Sequence, residues 1–272
     1  MDIAVLAGTG KSGRRLASTL RVAGHRVRVA GRRGPVRFDW DEPATWRGVV
    51  VGADAVYVVA PFADPDPIKP FVDEAVAADV QRLVMISGRG LEHFAGHFGD
   101  TMAVTERAVL ATGRGTILRA SNFAQNFTED VQTPGVRAGR LALPGTGIAD
   151  SFVDLVDVAA VAARVLTEDG HEDRTYELTG PDVLTFEQAV DVLAAASGGE
   201  IRYEAVAPDD YAAELRAEGV DEFAVRELVG LFTVMAEGHM NGVSDDVPRL
   251  LGRPARAFTD WAVEQAALGA LG

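Results

Sequence analysis

Short apolar stretches alternate with longer amphipathic stretches through the first half of the chain. The apolar stretches fall at 3–7, 27–30, 55–60, 83–87 and 116–118, and stretches with helical spacing fall between them at about 11–23, 43–50, 68–79 and 101–112. Strands that alternate with helices in this way are typical of βαβ units, in which the strands are parallel. The pattern therefore predicts an α/β fold with a doubly wound, Rossmann-type parallel sheet.

In a sheet of this kind, ligands bind outside the carboxyl ends of the strands. The loops that follow the predicted strands should therefore lie along one edge of the sheet, which we call the rim. These loops are 8–13, 31–34, 60–67, 87–99 and 119–127. Functional residues are expected on the rim.

Beyond about residue 130 the pattern changes to longer helices with isolated strands at 175–178 and 201–206. Thr185 and Gln188 have the spacing of a capping box, in which each residue's side chain bonds the other's backbone N–H. This spacing predicts a helix that opens there and extends to Ser197.

The predicted organisation is a dinucleotide-binding Rossmann domain over 1–150 and a smaller, mostly helical C-terminal region over 151–272, packed on it. Within the second region, the acidic stretch 208–246 carries large apolar residues at helical spacing. They are Phe223, Leu228, Leu231, Phe232 and Met235. This stretch is expected either to cover the rim as a substrate lid or to be an ordinary helix that faces the core.

A glycine-rich turn directly follows the first predicted strand and precedes the first predicted helix. Its G-x-G-x-x-G sequence comprises Gly8, Thr9, Gly10, Lys11, Ser12 and Gly13. The glycines allow a tight turn and close approach to a pyrophosphate, while the helix N-terminus offers free N–H donors. The alternatives are a turn without a ligand and a P-loop, which is disfavoured because Val5 stands where it needs a glycine. The motif predicts a dinucleotide site.

The residues after the second predicted strand indicate which dinucleotide binds. NAD-selective sites carry an acid there for the ribose 2′-hydroxyl, whereas this chain has Arg32 and Arg33. Guanidinium groups suit a 2′-phosphate because they donate bidentate, charge-assisted hydrogen bonds. NADP(H) is therefore the expected cofactor, and the alternative is that both arginines are solvated surface charges.

Two further rim segments are candidates for the cofactor pocket. Asp39 and Trp40 follow a short third strand and could flank the adenine, and Ala60, Pro61 and Phe62 end the next strand. A purely structural loop is the alternative for each segment.

Composition narrows the chemistry. The 272 residues include no cysteine, which excludes disulfides, cysteine nucleophiles, iron–sulfur clusters and thiolate zinc sites. Redox chemistry would then require a bound cofactor, and no metal is expected.

The net charge of −14 is unevenly distributed, because residues 1–37 hold nine of the 26 Lys and Arg residues and one acid, Asp2. The acidic remainder repels phosphate backbones, so nucleic acid is not expected as a partner. No apolar run approaches the ~20 residues of a membrane span, and no membrane partner is expected. The expected protein is a cytoplasmic monomer or homodimer that binds a small apolar molecule.

Seven segments together resemble the NmrA-like branch of the atypical short-chain dehydrogenases/reductases. They are AVLAGTGKSG, VRVAGRR, AVYVVAPF, RLVMISGRG, TILRASNFAQNF, SFVDLVDVAAVAARVL and RTYELTGPDVLTF. The resemblance covers nearly the whole chain. It implies either an NADPH-dependent reductase of quinones or related molecules, or a cofactor-binding regulator that does no chemistry.

The resemblance also identifies proton-transfer groups that this chain lacks. Ordinary short-chain dehydrogenases use Tyr-x-x-x-Lys, in which the lysine lowers the tyrosine pKa. None of the four tyrosines here has a lysine four residues later. In the related isoflavone-reductase-like branch a lysine opens the helix before the TILR-type strand, and that place falls at Met102.

Ser87, His93 and His97 are the rim candidates for catalysis. The resemblance implies that Ser87 lies near the nicotinamide and the substrate, and a capping role is an equal alternative. The two histidines could contact substrate, donate a proton or be plain loop residues, and they do not form H-E-x-x-H. Asn122 could line the nicotinamide pocket.

The sequence therefore predicts an NADPH-dependent reductase that transfers hydride to an apolar quinone, imine, iminium ion or enone without a Tyr-Lys pair. One alternative is a non-catalytic sensor, which would bind NADP(H) without oxidising it faster than background. Another is an isomerase or cyclase, which would leave substrate and product at one oxidation level.

Overall fold

The computed structural model describes residues 1–94, 98–130 and 132–271. The strands of this described chain are β1 (Asp2–Val5), β2 (Arg26–Gly31), β3 (Val36–Arg37), β4 (Ala55–Val59), β5 (Arg82–Gly88), β6 (Gly115–Ala120), β7 (Arg140–Pro144), β8 (Ala149–Asp150), β9 (Arg174–Leu178), β10 (Leu184–Thr185) and β11 (Arg202–Val206). Its α-helices are α1 (Lys11–Val22), α2 (Arg47–Val50), α3 (Ile68–Ala77), α4 (Phe98–Leu110), α5 (Asn126–Glu129), α6 (Thr133–Arg137), α7 (Leu155–Thr167), α8 (Phe186–Ser197), α9 (Pro208–Ala217), α10 (Glu222–Ala236), α11 (Asp246–Leu251) and α12 (Phe258–Ala267).

Seven strands form one parallel sheet in the order β3-β2-β1-β4-β5-β6-β9. The order reverses between β1 and β4, which is the position where doubly wound sheets bind ligands. The predicted α/β class and doubly wound parallel sheet are confirmed. Two small sheets accompany it, β8 with β10 and β7 with β11.

Both faces of the central sheet are covered by helices, so its strands are continuous apolar runs rather than alternating ones. Ile3 and Val5 face a core shared with α1 and α7. Ala4 and Leu6 face the opposite core, where Phe71 of α3 packs beneath them. The alternation of side chains along β1 thus supplies both layers.

A third core joins the C-terminal helices to the first half of the chain. At its centre, the ring of Phe127 lies 5.3–6.5 Å from the rings of Phe152, Phe186, Phe258 and Trp261. The core therefore ties α5 to α8 and α12.

The predicted helix opening at Thr185 is confirmed. Thr185 Oγ1 accepts a hydrogen bond from Gln188 N (3.1 Å), Gln188 Oε1 accepts one from Thr185 N (2.9 Å), and α8 then extends to Ser197. The predicted helix over 43–50 is instead divided into a 3-10 turn, Pro43–Thr45, and the short α2.

The central sheet extends beyond residue 150. Its last strand, β9, pairs with β6, and α7 packs against α1 on one face of the sheet. The third core also contains residues from before and after residue 150. The regions predicted as 1–150 and 151–272 therefore share one sheet and one core.

Among the described helices, none combines the length and the apolar character that crossing a membrane requires.

Candidate active site

The loop between β1 and α1 brings backbone N–H groups to the rim where the strand order reverses. Gly10 N donates to Ala7 O (2.8 Å), and α1 begins directly afterwards without a side-chain cap. In the described chain, the N–H groups of Lys11, Ser12 and Gly13 have no backbone acceptor. Free N–H groups at a helix N-terminus bind anions such as phosphate.

The glycines are required by close packing of this loop. A Cβ on Gly13 would lie 2.4 Å from Ala7 O and 2.7 Å from Gly8 Cα, and a Cβ on Gly8 would lie 2.8 Å from Val29 Cγ1. Contacts this short are not tolerated, so the glycines let α1 approach the sheet closely. The predicted G-x-G-x-x-G turn therefore has the geometry of a dinucleotide loop.

The side chains of the loop point in different directions. Thr9 is exposed at its tip. Lys11 Nζ donates to Asn126 Oδ1 (2.6 Å) and pairs with Asp130, so its ammonium group lies on the α5 side. Ser12 lies near the hydroxyl of Tyr57, which is buried beneath the loop and whose raised pKa Ser12 moderates.

A first cavity of about 400 Å³ opens beside the glycine loop. The predicted residues in its lining are Arg32, Asp39, Trp40, Ala60, Pro61 and Phe62. The ring of Trp40 packs edge-to-face on Phe38 and Phe71, with centroids 4.9 and 5.1 Å away. The indole is thus held in place as one wall of a pocket that an adenine could occupy.

Arg32 and Arg33 are both exposed at the mouth of β2, and Arg32 also lines the first cavity. Within the described residues, neither guanidinium makes a hydrogen bond or an ion pair. By contrast, the nearby Arg37 pairs with Glu42 at 2.8 Å. Two unengaged guanidinium groups beside the cavity fit a 2′-phosphate.

A second cavity of about 340 Å³ shares Val59, Ala60, Pro61 and Phe62 with the first. Its other walls are mainly apolar and include Ile86, Phe94, Met102, Phe123, Leu231 and Met240. Its polar residues are Ser12, Ser87, Arg89, Ser121, Asn122 and Asn126. The two cavities therefore form one groove along the rim.

Ser87 near the end of β5 lines this second cavity, and its hydroxyl is buried without a partner. The residue is 4% exposed, and its Oγ has no hydrogen-bond partner among the described atoms. A buried hydroxyl without a partner is costly, which indicates that a ligand completes it. Met102 lies in the same wall. It stands where the isoflavone-reductase-like branch has a lysine, and its side chain has no proton to donate.

His93 lies in the 3-10 turn after β5, outside the described lining of either cavity. Its ring stacks on His239 with centroids 3.7 Å apart and planes 3° from parallel. His97 lies outside the described residues. Of the three predicted catalytic residues, the structure thus brings Ser87 to the groove.

Residues from α10 and the segment after it cover the second cavity. Leu231 and Met240 form part of its wall. Arg89 holds this segment, because its Nη1 donates to Gly242 O (2.6 Å) and Met240 O (3.3 Å), while its Nε donates to Glu177 (3.0 Å).

The opposite end of α10 touches the shared wall of the groove. Phe223 packs edge-to-face on Phe62 at 5.0 Å. Phe232 and Met235 on another face of α10 are buried in the third core. One face of α10 therefore contacts the groove, and another face packs in the third core.

Asn122 is fixed beneath the second cavity by a buried acid. Its Nδ2 donates to Asp150 Oδ2 at 2.7 Å, and its backbone N donates to the same oxygen at 3.1 Å. Burial raises the pKa of Asp150, and the hydrogen bonds from Asn122 oppose this shift.

None of the four tyrosines lines either cavity in the described structure. Burial raises the pKa of Tyr57. Burial, and to a smaller extent the negative charge of Glu187, raises the pKa of Tyr203 to about 12. Tyr203 donates its hydroxyl to Gly145 O (2.6 Å), far along the chain from the rim. These phenols have structural roles.

Among the residues of the groove and its support that sequence reasoning did not single out are Arg89, Asn126 and Asp150. Arg89 and Asn126 stand in predicted rim loops, so a search for every polar residue of those loops would have found them. Asp150 had no such local signal, because its contact with Asn122 spans 28 positions.

In the described chain, no group of three or more His, Asp or Glu residues could hold a metal ion.

Comparison with known proteins identifies the family. No protein-family model matches the chain. The NAD(P)H azoreductase of Xenophilus azovorans is 31% identical over 235 residues, which are 84% of this chain and 81% of that protein. The (4-alkanoyl-5-oxo-2,5-dihydrofuran-3-yl)methyl phosphate reductase of Streptomyces griseus is 30% identical over 287 residues, 97% of this chain and 98% of that protein.

Among solved structures, the NADPH-dependent quinone oxidoreductase QOR2 of Escherichia coli, complexed with NADPH, superposes with a TM-score of 0.81. It is 20% identical, and the match covers 96% of this chain and 99% of that one. This likeness supports the fold, while the two relatives carry the family assignment. With its glycine loop, parallel sheet and continuous rim groove, the chain belongs to the NmrA-like family of atypical short-chain dehydrogenases/reductases.

Proposed function

We propose that the protein is an NADPH-dependent reductase that transfers hydride to a small apolar acceptor. The observation that carries this proposal is the continuous rim groove, in which a cavity beside free N–H groups and unengaged guanidiniums adjoins an apolar cavity with an unpartnered serine hydroxyl. The reductase names of the two relatives support the same reaction class.

The residues of the groove have separable roles in binding. The N–H groups at the start of α1 bind the pyrophosphate, Trp40 flanks the adenine, and Arg32 with Arg33 binds the 2′-phosphate. The bound NADPH supplies the hydride. Ser87 and Asn122 lie at the nicotinamide end, where they orient the reacting ring and the acceptor.

The lining of the second cavity favours acceptors that need little protonation. Among its described residues, no carboxylic acid, imidazole, phenol or ammonium is present. Quinones, iminium ions and activated enones meet this condition, since hydride addition gives a stabilised or neutral product. Where an oxygen anion develops, Ser87 can donate a hydrogen bond to it, and water supplies the proton. His93 and His97 are the remaining candidates for a proton relay.

The test is turnover. Purified protein is incubated with NADPH and a panel of quinones, iminium ions and enones, and the absorbance of the reduced cofactor is followed. Oxidation with at least one class is expected. Gly13→Val should abolish it, because any Cβ there meets Ala7 O, whereas Gly48→Ala should not, because nothing lies within 4 Å of that Cβ. Tight NADPH binding with no oxidation above background would instead indicate a sensor.

Ser87→Ala separates the acceptor classes. Removing a donor to a developing oxyanion costs about 100- to 1000-fold in rate, so the loss should appear with quinones and enones. An iminium ion becomes neutral when it accepts hydride and should lose little. Equal rates for wild type and variant with every acceptor would remove Ser87 from the mechanism, and the comparison would then move to His93→Ala with His97→Ala.

A further inference from the structure

Four polar side chains form a chain of hydrogen bonds from the glycine loop to the second cavity. Lys11 Nζ donates to Asn126 Oδ1 (2.6 Å), Asn126 Nδ2 lies 3.5 Å from Asn122 Oδ1, and Asn122 Nδ2 donates to Asp150 Oδ2 (2.7 Å). An ammonium group can only donate. Lys11 therefore fixes the direction of both amides, with each oxygen toward Lys11 and each NH₂ toward Asp150.

Asp150 is buried, and its hydrogen bonds fix the position of Asn122. It is 0% exposed, and its carboxyl accepts three N–H bonds. One comes from Ser151 N (2.7 Å), and the other two come from the backbone and side chain of Asn122. Within the described chain, no cation pairs with it directly. A buried acid is costly to keep, and here its bonds fix both the position of Asn122 and the orientation of its amide.

This orientation leaves an acceptor oxygen for a ligand. An amide oxygen can accept two hydrogen bonds, and the contact from Asn126 to Asn122 Oδ1 is long at 3.5 Å. Asn122 lines the second cavity, whose lining also contains the unpartnered hydroxyl of Ser87. Asn122, with an acceptor oxygen to spare, and Ser87, with an unpartnered hydroxyl, therefore both belong to the lining of this cavity.

We propose that Asp150 is a positioning residue that, through Asn122, presents an amide oxygen to the second cavity, where this oxygen accepts a hydrogen bond from the carboxamide NH₂ of the nicotinamide. The inference rests on the proposed function, because it requires the nicotinamide to occupy this cavity. A ligand with a ketone in place of the carboxamide has no NH₂ to donate and gains nothing from this arrangement.

The test measures binding rather than turnover. Three ligands are titrated into the full-length protein by calorimetry: NADP⁺, its analogue with an acetyl group in place of the carboxamide, and 2′,5′-ADP, which lacks the nicotinamide. One hydrogen bond is worth about 1 kcal/mol, or about five- to tenfold in affinity. Wild type should bind NADP⁺ more tightly than the acetyl analogue by about this factor.

Asp150→Asn should remove that preference. The new side chain has one acceptor oxygen in place of two, so it cannot accept the N–H bonds from Ser151 and from Asn122 together, and the Asn122 amide is held less firmly. NADP⁺ should bind about five- to tenfold more weakly, while the acetyl analogue and 2′,5′-ADP keep their affinities. Asp154→Asn is the matched control, because Asp154 is equally buried but bonds Gln125 and Arg256. Its NADP⁺-to-acetyl ratio should equal that of wild type.

A double-mutant cycle distinguishes action through Asn122 from a separate effect. Asn122→Ala should cause the same selective loss, and Asp150→Asn combined with Asn122→Ala should cause no further loss. Additive losses would overturn the proposal, as would equal losses for all three ligands. If Asp150→Asn does not fold, Asp150→Ser takes its place in the cycle. Failure of wild type to bind 2′,5′-ADP would contradict the proposed function itself, which is a separate result.

Discussion

At the residue scale, Arg32 and Arg33 have different surroundings although they are neighbours. Arg32 lines the first cavity. Arg33 is exposed and is not among the described residues that line it. A charge-assisted hydrogen bond to a phosphate is worth about 1.5–3 kcal/mol, or roughly 10- to 150-fold in affinity. The 2′-phosphate of NADPH should therefore depend mainly on Arg32.

Arg32→Ala is expected to weaken NADPH binding at least about tenfold and NADH binding very little. Arg33→Ala should cause a smaller loss, and the double variant should lose the preference for NADPH. Calorimetric titration with both cofactors measures this. Arg202→Ala, whose side chain is 78% exposed on β11, is the control for a lost positive charge. Equal affinity of wild type for the two cofactors would contradict the assignment.

The glycine turn could be predicted from the sequence because its constraint is local. The atoms that a Cβ on Gly13 would meet belong to Ala7 and Gly8, a few positions away. The role of Asp150 could not be predicted, because it depends on how β8 is placed against the loop after β6. His93 illustrates the same limit, since its stacking partner His239 comes from a distant part of the chain.

At the scale of elements, α1 is held to α5 by a cluster of ions. Arg15 makes a bidentate contact with Glu129 at 2.6 and 3.1 Å, Arg14 pairs with the same carboxylate, and Lys11 pairs with Asp130. Burial alone would raise the pKa of Glu129, but the hydrogen bonds and charges of Arg15 and Arg14 outweigh it, so its pKa is lowered.

A lowered pKa gives the Glu129 contacts a defined pH dependence. Their stabilisation is fully present above the ordinary glutamate pKa and is lost as pH falls through the lowered value in the folded protein. Glu129→Gln should lower the free energy of unfolding by about 1–2 kcal/mol at pH 7 and show a smaller further loss below pH ~4. Urea unfolding at both pH values measures this. Glu200→Gln, in an exposed pair with Arg202, should change little.

Periodicity predicted the long elements and missed the short ones. α5 and α6 span four and five residues, too few to repeat a helical pattern. Yet Glu129 of α5 and Asp130 directly after it are the acids that pair with α1, so the contact between the glycine loop and α5 could not be predicted from the sequence.

At the scale of the whole molecule, the third core contains residues from both sides of the predicted domain boundary. Trp40 and Trp46 belong to the aromatic cluster beneath the first cavity, with centroids 6.3 Å apart. Trp261 is buried in the third core beside Phe127, which comes from the first half of the chain. The doubly wound parallel sheet could be predicted from alternating elements, but the mixing of core residues from both regions could not, because it depends on long-range packing.

The two regions should therefore unfold together. Trp261→Phe leaves fluorescence from the first aromatic cluster, and Trp40→Phe with Trp46→Phe leaves fluorescence from the third core. In each variant, the urea midpoint from fluorescence should coincide with that from far-UV circular dichroism. The circular dichroism of the same sample is the internal control, because each substitution changes stability. Separate midpoints within one variant would show two independent domains.

Phe62 belongs to the walls of both cavities and also packs on Phe223 of α10. A molecule seated in the second cavity would therefore lie between this shared wall and the covering residues Leu231 and Met240, across the path to the nicotinamide end. The kinetic consequence is a compulsory order, in which NADPH enters first and NADP⁺ leaves last. An unreactive analogue of the acceptor should then inhibit competitively against the acceptor and uncompetitively against NADPH.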